Sequence, residues 1–355
     1  MRILIVACMV LAPTVGATEF KVFADGSGEY PTIVDALAVS ADGDTISLGD
    51  GIYTGEGNRD LSNWGNLLHI RSLSGNPESC IIDCAGSPGD PHYGFWLSIT
   101  GSKVLPPIDF WGLDGICIMN GYSAGAGAVI VSDGAWPGLR NCIFRSNRSE
   151  YDGGAIDIDE SGLEIENCLF IDNSAEEGGA ISFDYYSAFH VSDCTFIGNS
   201  ALRGGAIRFR RTNWISEMSG CTFYDNSADT GSNFYFMDDA HLEASNCILA
   251  FAEGGETVVC ESDCSALFTC CDLFGNTGGD WTGCIEDQLG VDGNISADPL
   301  FCDLAILDLT IDAESPCAPL TPPNENCELI GAWSVGCGAT AATDKTWSEF
   351  KLLYE

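Results

Sequence analysis

Apolar side chains in the middle of the chain recur two residues apart, in short runs. In Leu163-Glu164-Ile165 and in the run from Ala155 to Asp159, apolar and polar residues alternate. A period of two is typical of β-strands, and no stretch between these runs has the spacing of an amphipathic helix. The pattern therefore predicts an all-β structure built from short strands.

These strands belong to a unit that repeats. The region from about Leu139 to Leu249 holds four copies, each with a cysteine, a phenylalanine two residues later and an asparagine three residues after that. A Gly-Gly-Ala-Ile segment follows in the first three copies, and the fourth has Gly-Ser-Asn-Phe at the same place. Cysteines recur at positions 117, 142, 168, 194, 221, 247 and 271. A regular spacing in this range indicates stacked repeats.

The length of the unit restricts the fold. About 26 residues with several short strands and no crossover helix cannot form the βαβ unit of a parallel α/β sheet. They can form one coil of a β-helix, in which each strand pairs with its equivalent one coil away. The sequence predicts a single-stranded, right-handed parallel β-helix with equivalent residues about 4.8 Å apart. We expect this domain over residues 18–338, with regular coils over about 112–276.

Identical residue types at equivalent positions predict columns of like side chains. The cysteines and phenylalanines are expected inside the coil, with a bend near Asn141, Asn167 and Asp193. The asparagines are expected at a corner, with left-handed backbone and with amides that hydrogen-bond along the axis. The Gly-Gly pairs predict a second corner, which a Cβ atom would obstruct. The columns are Cys142, Cys168, Cys194, Cys221 and Cys247; Phe144, Phe170, Phe196 and Phe223; and Asn147, Asn173, Asn199 and Asn226.

The pairing of GGA[ILV] with FxxN resembles the repeat of the polymorphic outer-membrane protein family. That family lies within the broader superfamily of right-handed parallel β-helix, pectin-lyase-like proteins. The motif covers about 110 residues, from Leu139 to Leu249. The resemblance implies a surface-exposed, adhesin-like role.

The two ends of the chain differ from the repeats. Residues 1–17 have a basic start, a short apolar core and small residues at Val15-Gly16-Ala17, which predicts a secretory signal peptide. A short helix is expected from Pro31 through Ala38, where it would cap the first coil. Residues 339–355 are interpreted as a C-terminal capping helix or as a sorting tail.

Residues 84–112 are irregular and rich in aromatic side chains. They form either a coil with a long excursion or a loop that faces a ligand. The aromatic residues there, with one histidine, are His92, Tyr93, Phe95, Trp96, Phe110 and Trp111.

Charge excludes some functions. The chain has 52 acidic and 14 basic residues, a formal net charge of −38. Binding to nucleic acid or to anionic lipid through a basic patch is therefore not expected. The acidic residues are interpreted as a solvated surface, with calcium binding by loop carboxylates as the alternative. No cofactor is predicted.

The cysteine column is not expected to form disulfides, because in-register neighbours are farther apart than the roughly 3.8 Å between disulfide-bonded Cβ atoms. Buried thiols acting as small hydrophobic groups are predicted instead. Outside the column, Cys80–Cys84, Cys317–Cys327 and Cys302–Cys337 are expected to pair. Further pairs, or alternatively a zinc site, are expected among Cys260, Cys264, Cys270, Cys271 and Cys284.

Two outward columns following the Gly-Gly corner carry the candidate chemistry. Asp157, Ser182, Arg208 and Tyr235 form one, and Asp159, Asp184, Arg210 and Met237 form the other. One interpretation is an exposed sheet kept soluble by alternating charge. The other, suggested by resemblance to polysaccharide lyases, is a site with calcium and an arginine base. The candidate catalytic residues are Asp157, Asp159, Asp184, Arg208 and Arg210.

We therefore expect a secreted or cell-surface protein, monomeric and non-catalytic, that binds a glycan or another surface molecule. The alternatives are a polyuronate lyase or glycoside hydrolase, and a structural component of the cell envelope. No transmembrane segment is expected after removal of the signal. The prediction of function depends on fold analogy and on the absence of a recognised catalytic motif.

Overall fold

The computed structural model describes residues 17–99, 110–125, 127–212, 216–324 and 326–338. The predicted signal peptide, except its last residue, and the predicted tail lie outside these ranges, and both stay predictions. Among the described residues, no helix has the length and apolar character needed to cross a membrane.

Three parallel sheets run along the molecule, and each strand pairs with its equivalent in the next coil. Sheet 1 has ten strands: Glu19–Val22, Thr45–Leu48, His69–Ser72, Gly112–Asp114, Gly138–Arg140, Gly162–Glu166, Ala188–Ser192, Ser216–Ser219, His241–Ser245 and Ser265–Thr269. Sheet 2 has eight: Leu61–Ser62, Phe95–Ser98, Val129–Ser132, Ile156–Asp159, Ile181–Asp184, Ile207–Arg210, Phe234–Met237 and Val258–Cys260. Sheet 3 has nine: Gly51–Tyr53, Cys80–Asp83, Cys117–Met119, Ile143–Arg145, Leu169–Ile171, Thr195–Ile197, Thr222–Tyr224, Ile248–Ala250 and Asp272–Phe274.

Smaller elements complete the described chain. Two short parallel sheets lie between sheet 3 and sheet 2, and one small mixed sheet lies near the C-terminus. Their strands are Tyr122–Ser123 and Arg148–Ser149; Ser200–Arg203, Ser227–Thr230 and Glu253–Gly254; and Phe301–Asp303, Asp308–Asp312 and Val335–Cys337. The helices are one α-helix, Ile33–Leu37, and two 3-10 turns, Gly283–Ile285 and Leu304–Ile306.

The predicted parallel β-helix is confirmed, and its core consists of stacked like side chains. Phe144, Phe170, Phe196 and Phe223 are in register on successive coils, with ring centroids 5.0, 4.6 and 4.5 Å apart. Each ring is fully buried. Burying one such side chain contributes about 1.5–3 kcal/mol, and the rings stack directly on one another along the interior.

The thiols at positions 142, 168, 194, 221 and 247 are buried and unbridged, as their spacing predicts. Cys117 does not continue this column. It pairs with Ile143, so the residue equivalent to Cys142 is Ile116, and Cys117 lies on the outer face of sheet 3. A cysteine 25 residues before the next is one residue out of a 26-residue register, and a shift of one residue reverses the face of a strand.

Left-handed residues make the bends between sheet 1 and sheet 3. Asn141, Asn167 and Asp193 have φ values of 52°, 51° and 53°, at the places where the bend is predicted. The amide nitrogen of Asn167 also donates to the Asn141 side chain at 2.8 Å. Asn and Asp tolerate this conformation better than other non-glycine residues.

The asparagine column is a buried ladder of amides. In Asn173, Nδ2 donates to Asn199 Oδ1 at 3.0 Å and to the Phe144 carbonyl at 2.9 Å, while Oδ1 accepts the Asn147 backbone N–H at 3.0 Å. The expectation of left-handed backbone at the asparagines is wrong by one position. The left-handed residues are the preceding ones, such as Ser146 and Asp172, and the asparagines that follow them have buried side chains.

The Gly-Gly corner needs its glycines for the predicted reason, obstruction of a Cβ atom, and also for a left-handed backbone that the repeat pattern does not predict. Gly178 has a φ of 67°, and a Cβ on Gly179 would lie 2.1 Å from the Gly205 carbonyl oxygen. The coils therefore approach each other at this corner more closely than a side chain allows.

Three disulfides are present among the described residues: Cys260–Cys284, Cys270–Cys327 and Cys302–Cys337. The prediction of Cys302–Cys337 is confirmed, and Cys260–Cys284 lies within the predicted set. These bonds use Cys260, Cys270 and Cys284, so the alternative of a zinc site there is wrong.

Two other predicted disulfides are wrong. Cys80 and Cys84 are both free and buried. Four residues of extended chain separate them by about 13 Å, whereas bridged Cα atoms lie about 4.4–6.8 Å apart. Cys327 pairs with Cys270 instead of Cys317, and the Cys317 thiol donates to Asp272 at 3.2 Å.

The N-terminal helix is shorter than predicted. It spans Ile33–Leu37 and begins at Thr32, whose side chain and that of Asp35 form a capping box. Ile33, Ala36 and Leu37 are buried in the main core. Its function as the cap of the first coil stays a prediction.

Candidate functional site

The five candidate residues lie on the outer face of sheet 2. Asp157 is in register with Ser182 and then Arg208, and Asp159 with Asp184. Arg210 lies two residues after Arg208 on the same face. The structure thus brings all five together on three successive coils.

Arg208 is buried. The interpretation of this face as an exposed sheet with alternating charges predicts a solvated side chain here, so that part of it is wrong for Arg208. Its side chain is 1% exposed. Nη1 and Nη2 donate to Asp184 at 2.9 and 2.6 Å, and Nη2 also reaches Ser182 Oγ at 2.8 Å. Burial opposes its charge, but the surrounding carboxylates outweigh burial and raise the pKa of Arg208. It is therefore a cation that cannot act as a base.

Two more carboxylates, from residues at the Gly-Gly corner, also contact the Arg208 guanidinium group. Arg208 Nη2 lies 2.5 Å from Asp152 Oδ1, and Nε lies 3.1 Å from Glu177 Oε2. Arg203 pairs in turn with Glu177. The Arg208 network is defined here as Arg208, Ser182, Asp184, Asp152 and Glu177.

Sequence reasoning missed the corner residues of this network. Asp152, Glu177 and Arg203 pair as one row across three coils. Each directly precedes a Gly-Gly pair, in Asp152-Gly153-Gly154, Glu177-Gly178-Gly179 and Arg203-Gly204-Gly205. A charged residue at the same place in three consecutive units is the signal that could have identified the row.

The network does not fit a calcium site. Asp184 is 7% exposed and both of its carboxylate oxygens face Arg208, so they are not free to bind a cation. Calcium needs six to eight oxygen ligands, including carboxylates without a competing cation. Within the described ranges, no three His, Cys, Asp or Glu side chains are grouped so that they could hold a metal ion.

Asp157 differs from its neighbours because it has no cation of its own. Burial raises its pKa to about 8, the Asp184 and Asp152 carboxylates act in the same direction, and Arg208 opposes them. Its Oδ1 is buried without a hydrogen-bond partner. Near neutral pH the protonated form predominates, so Asp157 is a potential proton donor.

Asp159 and Arg210 complete the face. Partial burial raises the pKa of Asp159, and carboxylates including Asp184 add to the effect. Arg210 Nε lies 3.0 Å from Asp238 Oδ2, and its guanidinium carbon lies 4.7 Å from the centroid of the Tyr185 ring. Arg210 is therefore paired and stacked.

An open groove of about 630 Å³ lies beside the corner row. Small side chains such as Ser174, Ala175 and Ala201 line it together with larger ones. Tyr151 is 57% exposed and Leu202 is 52% exposed. The lining residues are Arg148, Ser149, Glu150, Tyr151, Ser174, Ala175, Glu176, Ser200, Ala201 and Leu202.

Comparison with known proteins identifies the fold. Residues 126–295 match the family model described as the right-handed beta helix region. The structure resembles pectate lyase Pel9A, with a TM-score of 0.51 and 14% identity, over 90% of this chain and 97% of that one. Two structures of the pectin methylesterase from Aspergillus niger, in deglycosylated and penultimately deglycosylated forms, give a TM-score of 0.46 at 15% and 14% identity. Each covers 81% of this chain and 91% of the other.

At this level of identity, the likeness shows the fold alone. A search of curated proteins finds no match. The closer resemblance to polymorphic outer-membrane proteins stays a prediction. The register of the sheets and the match to the beta helix model together show that the chain has a right-handed parallel β-helix fold.

Proposed function

We propose that this protein binds an extracellular polysaccharide beside and across the outer face of sheet 2, without cleaving it. A polysaccharide-active enzyme is compatible with this fold, whose structural neighbours include a pectate lyase by name. Three disulfides fit an oxidising, extracellular location.

The burial of Arg208 within its ion pairs is the observation on which the proposal depends. A catalytic arginine on a polysaccharide must reach the sugar, and this side chain is 1% exposed with its donors directed at Asp184, Ser182 and Asp152. Releasing it would leave buried carboxylates without their cation, at a cost of several kcal/mol. The charged face therefore supports the structure instead of supplying a base.

The groove beside the corner row offers the contacts that a sugar needs. Its volume of about 630 Å³ falls in the range of small-molecule sites, about 300–1,000 Å³. Tyr151 presents an exposed ring, while Arg148 and Glu176 supply a hydrogen-bond donor and an acceptor. An aromatic face combined with a few polar groups suits a ring that has both apolar and hydroxyl surfaces.

Binding and turnover can be measured separately on one panel. The full chain is incubated with polyuronates and with neutral polysaccharides, with and without calcium, and retention and new chain ends are both recorded. We expect retention of at least one polysaccharide without new chain ends. Tyr151→Ala is expected to weaken retention, with Leu267→Ala, an exposed apolar residue on sheet 1, as its control.

The clearest contrary result is cleavage that disappears in Asp184→Ala, which would make the protein an enzyme. A wild-type chain that retains no polysaccharide would favour a structural role in the cell envelope.

A glycoside hydrolase is the second candidate, because Asp157 and Asp159 lie two residues apart on one face and differ in environment. Such chemistry uses two carboxyl groups whose pKa values differ, and burial raises the pKa of Asp157 to about 8. This function predicts release of reducing ends that falls as pH rises through about 8 and is lost in Asp157→Asn. Absence of reducing ends from every polysaccharide across that pH range would exclude it.

A further inference from the structure

We infer that a covering segment at the C-terminus is held to the outer face of sheet 3 by a pH-sensitive contact at Asp272, and that this segment loosens as pH rises. The covering segment is defined as residues 297–324 and 326–338. The inference concerns sheet 3 and does not depend on the proposed polysaccharide site on sheet 2.

Three buried polar residues on the outer face of sheet 3 bond to the covering segment. Trp333 Nε1 donates to Thr195 Oγ1 at 2.9 Å, and the Ala332 backbone N–H donates to Thr222 Oγ1 at 2.9 Å. Asp272 is the third, in the same register position two coils after Thr222. The two hydroxyls are uncharged at any ordinary pH, so only the contact at Asp272 can change with pH.

Asp272 contacts the covering segment at two separate places. Its Oδ1 accepts the backbone N–H of Ala297, where the segment begins, at 3.0 Å. The Cys317 thiol lies 3.2 Å from Oδ2. The Asp272 side chain is fully buried, whereas the equivalent outward residue on the preceding coil is the apolar Ile248. A carboxyl group therefore takes the place of an apolar side chain beneath the segment.

The surroundings of Asp272 disfavour its charge. Burial raises its pKa to about 7, although the hydrogen bonds from Ala297 and Cys317 act in the opposite direction. The carboxylates of Asp280 and Asp298 raise the pKa further. Burial also raises the pKa of the Cys317 thiol, so this partner stays neutral. Ionised Asp272 is thus a buried charge whose charged neighbours Asp280 and Asp298 both repel it.

The direction of the pH effect follows from these pKa values. When the segment is released, the carboxyl meets water and its pKa returns to about 3.9. The held state therefore binds an extra proton between about pH 4 and 7, and it is favoured most at the acidic end of that range. As pH rises, the ratio of held to released segment should fall by up to about tenfold per pH unit and level off above about 7.

Release uncovers an apolar surface but does not free the segment. Leu169 and Ile197 on sheet 3 share a buried cluster with Leu309 of the segment, so loosening exposes them to water. The disulfide Cys270–Cys327 joins the segment to the bend two residues before Asp272. The loosened segment therefore stays attached and can return when pH falls.

Native-state proteolysis of the full chain between pH 5 and 8 tests the inference. Cleavage within the covering segment is measured after reduction, because the disulfide Cys302–Cys337 would hold fragments together. Each rate is divided by that of an unfolded reference peptide at the same pH. We expect this ratio to rise at least about tenfold from pH 5 to 8 in the wild type, and less than about twofold in Asp272→Asn.

Two further variants serve as controls, with circular dichroism and the thermal midpoint verifying that each protein is folded. Asp157→Asn removes a carboxyl of raised pKa on sheet 2 and should leave the dependence of cleavage on pH unchanged. Asp298→Asn can still accept the Leu300 N–H, but it removes a repelling charge, so the rise should level off at a lower pH.

A wild-type ratio that does not change from pH 5 to 8 would overturn the inference, as would a rise that persists in Asp272→Asn. Should Asp272→Asn fail to fold, a pH profile of Asp298→Asn identical to that of the wild type would overturn it instead. None of these results bears on polysaccharide binding, so the proposed function would stand.

Discussion

Sheets 2 and 3 have the same inward packing but opposite outer faces. On sheet 3 the outward residues Ile143, Leu169 and Ile197 are apolar, and they are only 3%, 6% and 8% exposed. They share a cluster with Leu309 and Trp333 from the C-terminal segment, which returns along this face. On sheet 2 the outward residues include Trp96, Asp157, Asp184, Arg208 and Arg210. The difference teaches that the outer side chains, not the coil itself, decide which face the chain covers and which face it leaves open.

Removing the central cation of sheet 2 should have the largest effect on this comparison. Arg208→Ala leaves Asp184, Asp152 and Glu177 close together without their common partner. The loss of a buried ion-pair partner costs about 3–5 kcal/mol. We expect a decrease of this size in the free energy of unfolding by guanidinium titration, and a change below about 1 kcal/mol would show that the network is solvated.

The free energy of unfolding should also depend on pH, because Asp157 on sheet 2 has a raised pKa. Its folded pKa of about 8 is above the value of an unfolded aspartate, about 3.9, so the folded state binds the extra proton between these values. The free energy of unfolding should therefore decrease as pH rises towards about 8 and level off above that value. Between pH 6 and 8 the decrease should be at most about 3 kcal/mol.

The matched variant Asp157→Asn should remove this slope. Asp272, whose pKa burial raises to about 7, acts in the same direction, so the difference between wild type and Asp157→Asn isolates the contribution of Asp157. Identical pH profiles for the two proteins would contradict a protonated Asp157.

Sheet 3 should respond to the loss of one contact with its covering segment. Trp333 Nε1 donates to Thr195 Oγ1 at 2.9 Å, and Trp333→Phe removes this bond while keeping an aromatic ring. A cost of about 1 kcal/mol is expected, with faster proteolysis within residues 297–338. In a double-mutant cycle with Thr195→Val, the two changes should couple, and additive effects would argue against the contact.

The smallest effect is expected on the solvated outer face of sheet 1. Arg140 lies 3.2 Å from Glu166 and 3.7 Å from Glu164, with 37% of its side chain exposed. Exposed pairs of this kind contribute about 0–1 kcal/mol. Arg140→Ala should therefore change stability by less than about 1 kcal/mol in the same titration, and a loss as large as that of Arg208→Ala would remove the distinction between buried and exposed networks.

The sequence predicts the coil well because each position repeats about every 26 residues. Phe144, Phe170 and Phe196 must stack if the period is real, and the Gly-Gly corner follows from the same repeat. The predictions are wrong by one position at two places, at Cys117 and at the left-handed residue before each corner asparagine. A period does not specify which residue of a turn adopts the unusual backbone conformation.

The candidate site was harder to predict than the fold. The columns place Asp157 and Arg208 on the outer face of sheet 2, but whether Arg208 is open depends on Asp152 and Glu177, which belong to a corner on other coils. Cys270–Cys327 escaped prediction for a similar reason, since its cysteines are 57 residues apart and meet only because the C-terminal segment folds back.

The most direct test of the account is a crystal structure of the protein with a bound oligosaccharide. The account predicts sugar rings in the groove beside Tyr151, at the edge of sheet 2, with Arg208 still bonded to Asp184. It would be contradicted by a sugar seated on Asp157 and Asp184 with Arg208 displaced towards the glycosidic bond, the arrangement of an enzyme.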